Sequence, residues 1–198
     1  MSQKDLINAI LSSDEGILNE VAQTSKDLEA ATFKDAQISG LRIRGIDCSN
    51  TEWEACTFTG VQFDGLNLQG AFFNGCTFQD CSFSNANLSE ASFDGCVWNR
   101  SRLTSASDLE SCEITNCQFK NCTLEELSFV DATLESLTIS AGSFKRISGS
   151  AELKSVALRN VDVADVDTSE MSMSNCIASE CACIPRGFRA SEGKRRRV

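Results

Sequence analysis

Eleven cysteines and twenty-eight acidic residues are the side chains in this 198-residue chain best equipped for chemistry, and no histidine or tyrosine stands beside them. Without histidine, no serine–histidine or cysteine–histidine nucleophile can be assembled within the chain. Without tyrosine there is no phenolic acid. The cysteines include no Cys-x-x-Cys pair of the kind that holds zinc. Nine of them (Cys56, Cys76, Cys81, Cys96, Cys112, Cys117, Cys122, Cys176 and Cys181) instead lie two places before a regularly recurring residue, mostly a large apolar one. Cys48 and Cys183 occupy the recurring position itself. All eleven are therefore expected to point inward as small hydrophobes, which argues against a reactive thiolate. The glycines fall on no phosphate-cradling spacing. The acids recur periodically on what reads as an open surface. The expectation is a protein without catalysis, metal or cofactor.

The elements that position these residues follow a beat of five. Cys56-Thr57-Phe58, Val61-Gln62-Phe63, Leu66-Asn67-Leu68 and Ala71-Phe72-Phe73 are successive examples. Inward centres run unbroken from Phe33 to Leu103. One extra residue enters around Thr104 to Ala106, and one is lost around Ile147 to Gly149. A period of five fits neither a helix nor an ordinary strand and marks a repeat architecture. Twelve of the fourteen Phe and Trp residues are centres, the exceptions being Phe72 and Phe188. Seven of the twelve glycines fall two places after a centre, where a tight corner suits glycine.

This pattern resembles the pentapeptide-repeat family. The resemblance implies an all-β fold, a right-handed quadrilateral parallel β-helix with four repeats to a twenty-residue coil. At a rung spacing of roughly 4.8 Å the rod would be on the order of 36 Å long. Cys56, Cys76, Cys96 and Cys117 then share one stacked column, with parallel Cβ atoms somewhat beyond disulfide reach. So many reduced thiols fit a reducing compartment.

Three stretches follow. Residues 1–30 carry Leu6, Ile10, Ile17, Val21 and Leu28 at helical spacing and predict one or two short helices covering the first coil. Ser12 and Glu15 form a capping-box pattern within that piece. Residues 31–183 are the solenoid. Residues 184–198 are basic, with Lys194 to Arg197 able to touch an acidic partner or nucleic acid, and are expected to be disordered. Neither a membrane-spanning run nor a signal-peptide pattern is present, which places the chain in the cytoplasm by default.

The net charge of −10 is not spread evenly. In the four-sided register one face carries Asp47, Glu90, Asp108, Glu110, Asp131, Asp167 and Glu170 with no base. The next carries Asp35, Glu52, Glu54, Asp94, Glu113, Glu135 and Glu152 against Lys34 and Lys154. Their charge is about one per 3 Å of rod, against about one per 1.7 Å for duplex DNA. Phe72 points outward in the column of Glu52 and Glu113, as an aromatic anchor would. The candidate partner-binding residues are therefore Asp47, Glu52, Glu54, Phe72, Glu90, Asp94, Asp108, Glu110, Glu113, Asp131 and Glu135. Two functions follow. The Cys-x-Phe style is similar to that of pentapeptide-repeat proteins that bind DNA gyrase and topoisomerase IV. That resemblance implies an acidic DNA mimic in a basic groove, inhibiting the enzyme or protecting it from drugs, with no nucleic acid bound by the solenoid itself. Those proteins are dimers joined through an apolar C-terminal end; here that end is basic and polar, and a homodimer stays open. The alternative is a scaffold or adaptor, for example in a secretion or effector system, that docks through its terminal segments.

Overall fold

The computed structural model describes residues 2–104 and 109–190. Most repeats become a three-residue extended segment whose middle side chain is buried and whose flanking side chains face out, as in Thr32–Lys34, Gln37–Ser39 and Arg42–Arg44. Successive coils stack in parallel register, so that Phe33 pairs with Trp53, Trp53 with Phe73 and Phe73 with Phe93. The step lengthens by one residue where Phe93 pairs with Ile114, and shortens by one where Leu134 pairs with Leu153. Both irregularities fall where the beat placed them. We number the faces from Thr32: face 1 (Thr32–Lys34 and the segments stacked on it), face 2 (Gln37–Ser39), face 3 (Arg42–Arg44) and face 4 (the column of Asp47). Face 1 is an eight-stranded sheet among the described residues. Faces 2 and 3 merge where Gln118–Ser128 runs continuously through their shared corner.

Face 4 is not a full strand. Asp27, Asp47, Asn67 and Asn87 are joined by single bridges. The Asp47 carboxylate accepts the Ser49 N–H at 3.0 Å, and Asn87 does the same for Ser89 at 3.0 Å. A short polar side chain that bonds its own backbone two residues on holds a turn.

The corners explain the glycines. Two places past each described centre, φ is positive at every corner from Ala30 to Asp165 except beside Gly149, where the residue is lost. Seven of these corners are glycine, but others are Asn, Asp, Ser, Ala, Glu and Arg. An L-residue there costs about 1–2 kcal/mol. The repeat therefore imposes the left-handed corner even where the side chain opposes it.

The core is stacked rings for the first half of the rod. Phe33, Trp53, Phe73 and Phe93 form one column, with centroids 3.8, 6.1 and 4.7 Å apart. Phe58, Phe78, Trp98 and Phe119 form a second. Thiols fill the corners between columns. Cys76 donates to the Trp53 carbonyl at 3.3 Å, Cys96 to Phe73 at 3.4 Å and Cys117 to Phe93 at 3.4 Å. Each is a small apolar group with one weak donor, matched to a carbonyl one coil back. Burial pushes the Cys48 thiol up to about 12 and the Cys81 thiol up to about 11.

Both ends depart from the repeat. Helices α1 (Gln3–Leu11) and α2 (Glu15–Val21) lay Leu6, Ala9, Ile10, Leu18 and Val21 into one core with Leu28. The expected Ser12–Glu15 capping box does not form. Ser12 ends α1, its hydroxyl donating to the Ala9 carbonyl, and Asp14 caps α2 by accepting the Ile17 N–H at 3.0 Å. At the other end the expectation of disorder from Ile184 fails through Ala190. Arg189 pairs with Ile177 and Ala190 with Ala178, only twelve residues on. The chain thus cuts across the end of the rod as a chord, with Phe188 buried beneath it. That shortcut turns Cys183 outward and leaves Cys181 half-buried, correcting the inward placement of all eleven thiols. Residues 191–198, including Lys194 to Arg197, lie outside the described residues.

Two outcomes test this arrangement. A Cβ on Gly142 (φ +145°) would sit 2.1 Å from the Cys122 carbonyl oxygen, whereas Ala55 holds a corner at φ 53°. Gly142→Ala is therefore expected to lower the urea midpoint sharply, and Ala55→Gly to leave it unchanged or raise stability by about 1 kcal/mol. Native protein is expected to react with a thiol-specific disulfide reagent fast at Cys183 and more slowly at Cys181, with the nine buried thiols reacting only on unfolding.

Candidate functional site: an acidic corner

Faces 4 and 1 are adjacent, and their shared corner gathers most of the predicted residues. On face 1, Glu52, Phe72, Ser92 and Glu113 stand in register along one column. Ser92 thus separates Phe72 from Glu113. The parallel column places Asp94 beside Thr115, and Thr115 beside Glu135. Glu52, Glu54, Glu113 and Glu135 are exposed, and so is Phe72 at 40%. Glu90 and Asp131 occupy left-handed corners of face 4, at φ 58° and 52°. Glu110 is exposed on the same face. Asp108 lies outside the described residues.

The acids are not equivalent. Asp47 is half-buried and committed to the turn, since besides the Ser49 N–H it accepts the Asn67 amide at 2.9 Å. Its place is structural, which removes the side chain from the outward set. Glu54 is paired with Lys34, and Glu152 with Lys154 at 2.9 Å. Glu90 accepts the Gln69 amide at 3.2 Å, and Asp131 accepts the Ser150 hydroxyl at 2.8 Å. The Asn116 amide at 2.8 Å, with the Thr115 hydroxyl at 2.9 Å, holds the Asp94 carboxyl below its ordinary range. The exposed acids of these two faces include Glu52, Glu90, Glu110, Glu113, Asp131 and Glu135.

One residue was missed. Val130 is 39% exposed on face 4, next to the corner residue Asp131. It follows the centre Phe129 directly, a place where most repeats carry a polar side chain, and that anomaly was readable in the sequence. Among the described residues no three Cys, Asp or Glu side chains converge as metal ligands would. An opening of about 540 Å³ lies at the far end between Val166, Met171, Met173 and Arg186. Among the described residues no helix is long and apolar enough to cross a membrane.

A stack of coils with a charged ridge of outward side chains defines a repeat protein of the β-solenoid class. The family model for pentapeptide repeats, nine copies, matches residues 54–102. Over those residues the chain carries pentapeptide repeats, and the coils on either side stack on them in the same parallel register. Among solved structures, a trypsin-treated variant of QnrB1, a plasmid-mediated fluoroquinolone resistance protein, superposes with a TM-score of 0.53 at 14% identity, covering 84% of this chain and 83% of that one. A pentapeptide repeat protein from the Arabidopsis thaliana thylakoid lumen gives a TM-score of 0.38 at 14% identity over 46% of this chain and 66% of that one. No curated protein sequence matches. At these identities the likeness concerns the fold.

The Asp94 bonds set a pH dependence. A carboxyl lowered in the folded state adds stability that is full above the ordinary carboxylate value, about 3.9, and lost as pH falls through the lowered folded value. Asp80, held down by Arg100, and Asp167, held down by the Ser169 N–H, act with the same sign. The urea midpoint is expected to be flat from about pH 7 to 5 and to drop below about pH 4. Asp94→Asn should make that drop shallower.

Proposed function

We propose that this protein is a non-enzymatic binding rod whose acidic corner docks in a basic groove of a protein partner, and that a type II topoisomerase such as DNA gyrase is that partner. The observation that carries the reading is the segregation of charge onto faces 4 and 1. Exposed carboxylates recur along the rod at multiples of the rung spacing, while Arg100 is neutralised by Asp80, and Arg146 by Glu125 and Glu126, on the other faces. A regular array of negative charge steers a positive groove onto itself and competes for the site that duplex DNA would occupy. The fold shared with a fluoroquinolone resistance protein makes gyrase the first partner to test. The eleven thiols, none in a disulfide, fit a reducing cytoplasm.

The second reading, an adaptor docking through its terminal pieces, draws on the helical cap. Leu11 and Ile17 are 44% and 46% exposed there, on the helices that close the rod.

Purified protein titrated into a gyrase supercoiling reaction, at low and high salt, with and without a fluoroquinolone, tests the first reading. Expected is inhibition or drug protection that fades with salt and disappears when Glu52, Glu110, Glu113 and Glu135 are all changed to Gln. No effect at micromolar protein overturns gyrase as the partner. Partner binding lost in Leu11→Ser/Ile17→Ser but kept in the Gln variant would favour the adaptor.

A further inference from the structure

The corner between faces 4 and 1 carries two apolar side chains that the fold does not need. Phe72 and Val130 point away from the core, at 40% and 39% exposure. The rungs beside Phe72 in its column are Glu52 and Ser92. The neighbours of Val130 at the equivalent place in the repeat include Gln69, Ser89 and Glu110. Polar residues therefore serve these columns equally well, and burial elsewhere gives no reason for an exposed ring. One exposed apolar side chain is ordinary. Here two border the same corner, three coils apart, which is about 14 Å at the rung spacing of a sheet. Glu90, Glu110 and Glu113 lie along the corner between them.

We infer that this ridge is a bipartite epitope for a cationic amphipathic helix of a protein partner, with Phe72 and Val130 as its two apolar anchors and the three glutamates as its charge contacts. The inference rests on the acidic corner being the binding surface, but not on the identity of the topoisomerase. Three constraints select the occupant. Backbone N–H and C=O groups along the ridge are already bonded coil to coil, as in Glu90 N–H to the Glu110 carbonyl and Phe72 N–H to the Thr51 carbonyl. A partner strand therefore cannot add here by sheet extension, and contact must be made by side chains. The anchors stand about 14 Å apart along the rod axis, one on each side of the corner, and a helix crossing the ridge at a slant, rising 1.5 Å per residue, covers that axial distance in about ten residues. Apolar side chains at both ends of such a segment, with Lys or Arg between them on the same side, match the ridge in order and in sign. Charge sets the approach and its salt dependence, while desolvated apolar anchors add affinity that salt does not screen.

The probes are two helical peptides of equal length and equal positive charge, one of Leu and Lys with Leu spaced to meet both anchors, the other with Ala in place of Leu. Both are titrated against the full chain by fluorescence anisotropy at about 50 and 300 mM salt, a range over which exposed charge contacts weaken strongly. The Leu/Lys peptide is expected to bind about tenfold tighter or more, as one well-buried anchor commonly contributes. Phe72→Ser/Val130→Ser should bring the two peptides within about twofold of each other, leave Ala/Lys binding unchanged, and keep the wild-type circular dichroism spectrum. Glu90→Gln/Glu110→Gln/Glu113→Gln should weaken both peptides and flatten their salt dependence. Equal affinity of the two peptides for wild type, or a gap that survives Phe72→Ser/Val130→Ser, overturns the inference while leaving the acidic surface standing. Binding of neither peptide overturns both.

Discussion

Every described coil of this rod turns through left-handed residues two places past inward side chains, and the rest of the structure depends on that turn. It sets four faces to a coil and brings each centre over the one a coil before, twenty residues back except at the two irregularities. It also fixes which side chains look in and which look out. The corner persists at Ala55, Glu90, Arg100 and Ser136, all residues that disfavour it. The stacked core and the coil-to-coil hydrogen bonds must therefore outweigh a local cost of about 1–2 kcal/mol at each. Cooperation between neighbouring coils, rather than any one residue's preference, holds the backbone there.

That is why so much of the fold was legible. In a five-residue repeat the direction of a side chain is a property of its position, so burial of Cys76 or exposure of Glu113 needs no tertiary information. The inserted and the lost residue could be placed for the same reason: they shift the beat. What failed lies where the beat has no authority. Asp14 rather than Ser12 caps α2, because Ser12 is still helical and closes α1, while Asp14 is the extended residue from which a carboxylate reaches the Ile17 N–H. Cys183 was counted inward by register, but the chain leaves the perimeter before reaching that position. Phe188 had no place in the pattern, yet it covers the end of the core.

The candidate site was legible to a coarser degree. Counting charges by face found the acidic side, since outward direction follows from register. It could not see that Asp47 turns its carboxylate onto Ser49 and Asn67, or that Glu54 faces Lys34. A carboxylate's address comes from the repeat, and its availability comes from its neighbours. The acids left outward by their partners lie closer to the corner than the full set did. Val130, which no charge count would raise, lies among them.

A rod of this kind has little to offer a ligand except side chains on a convex surface. Its interior is filled by rings, aliphatic side chains and thiols, and its backbone donors are used between coils. Any specificity must therefore come from the pattern along an edge, where each position can change without disturbing the core beneath it. Charge alone gives a poor pattern, since any basic surface answers to it and salt weakens it. Apolar side chains at fixed rungs add a ruler, because the coil spacing is set by the sheet and not by the residues that ride on it. The separation of Phe72 from Val130 is thus as rigid as the fold itself, and a partner that meets one is held in register to meet or miss the other.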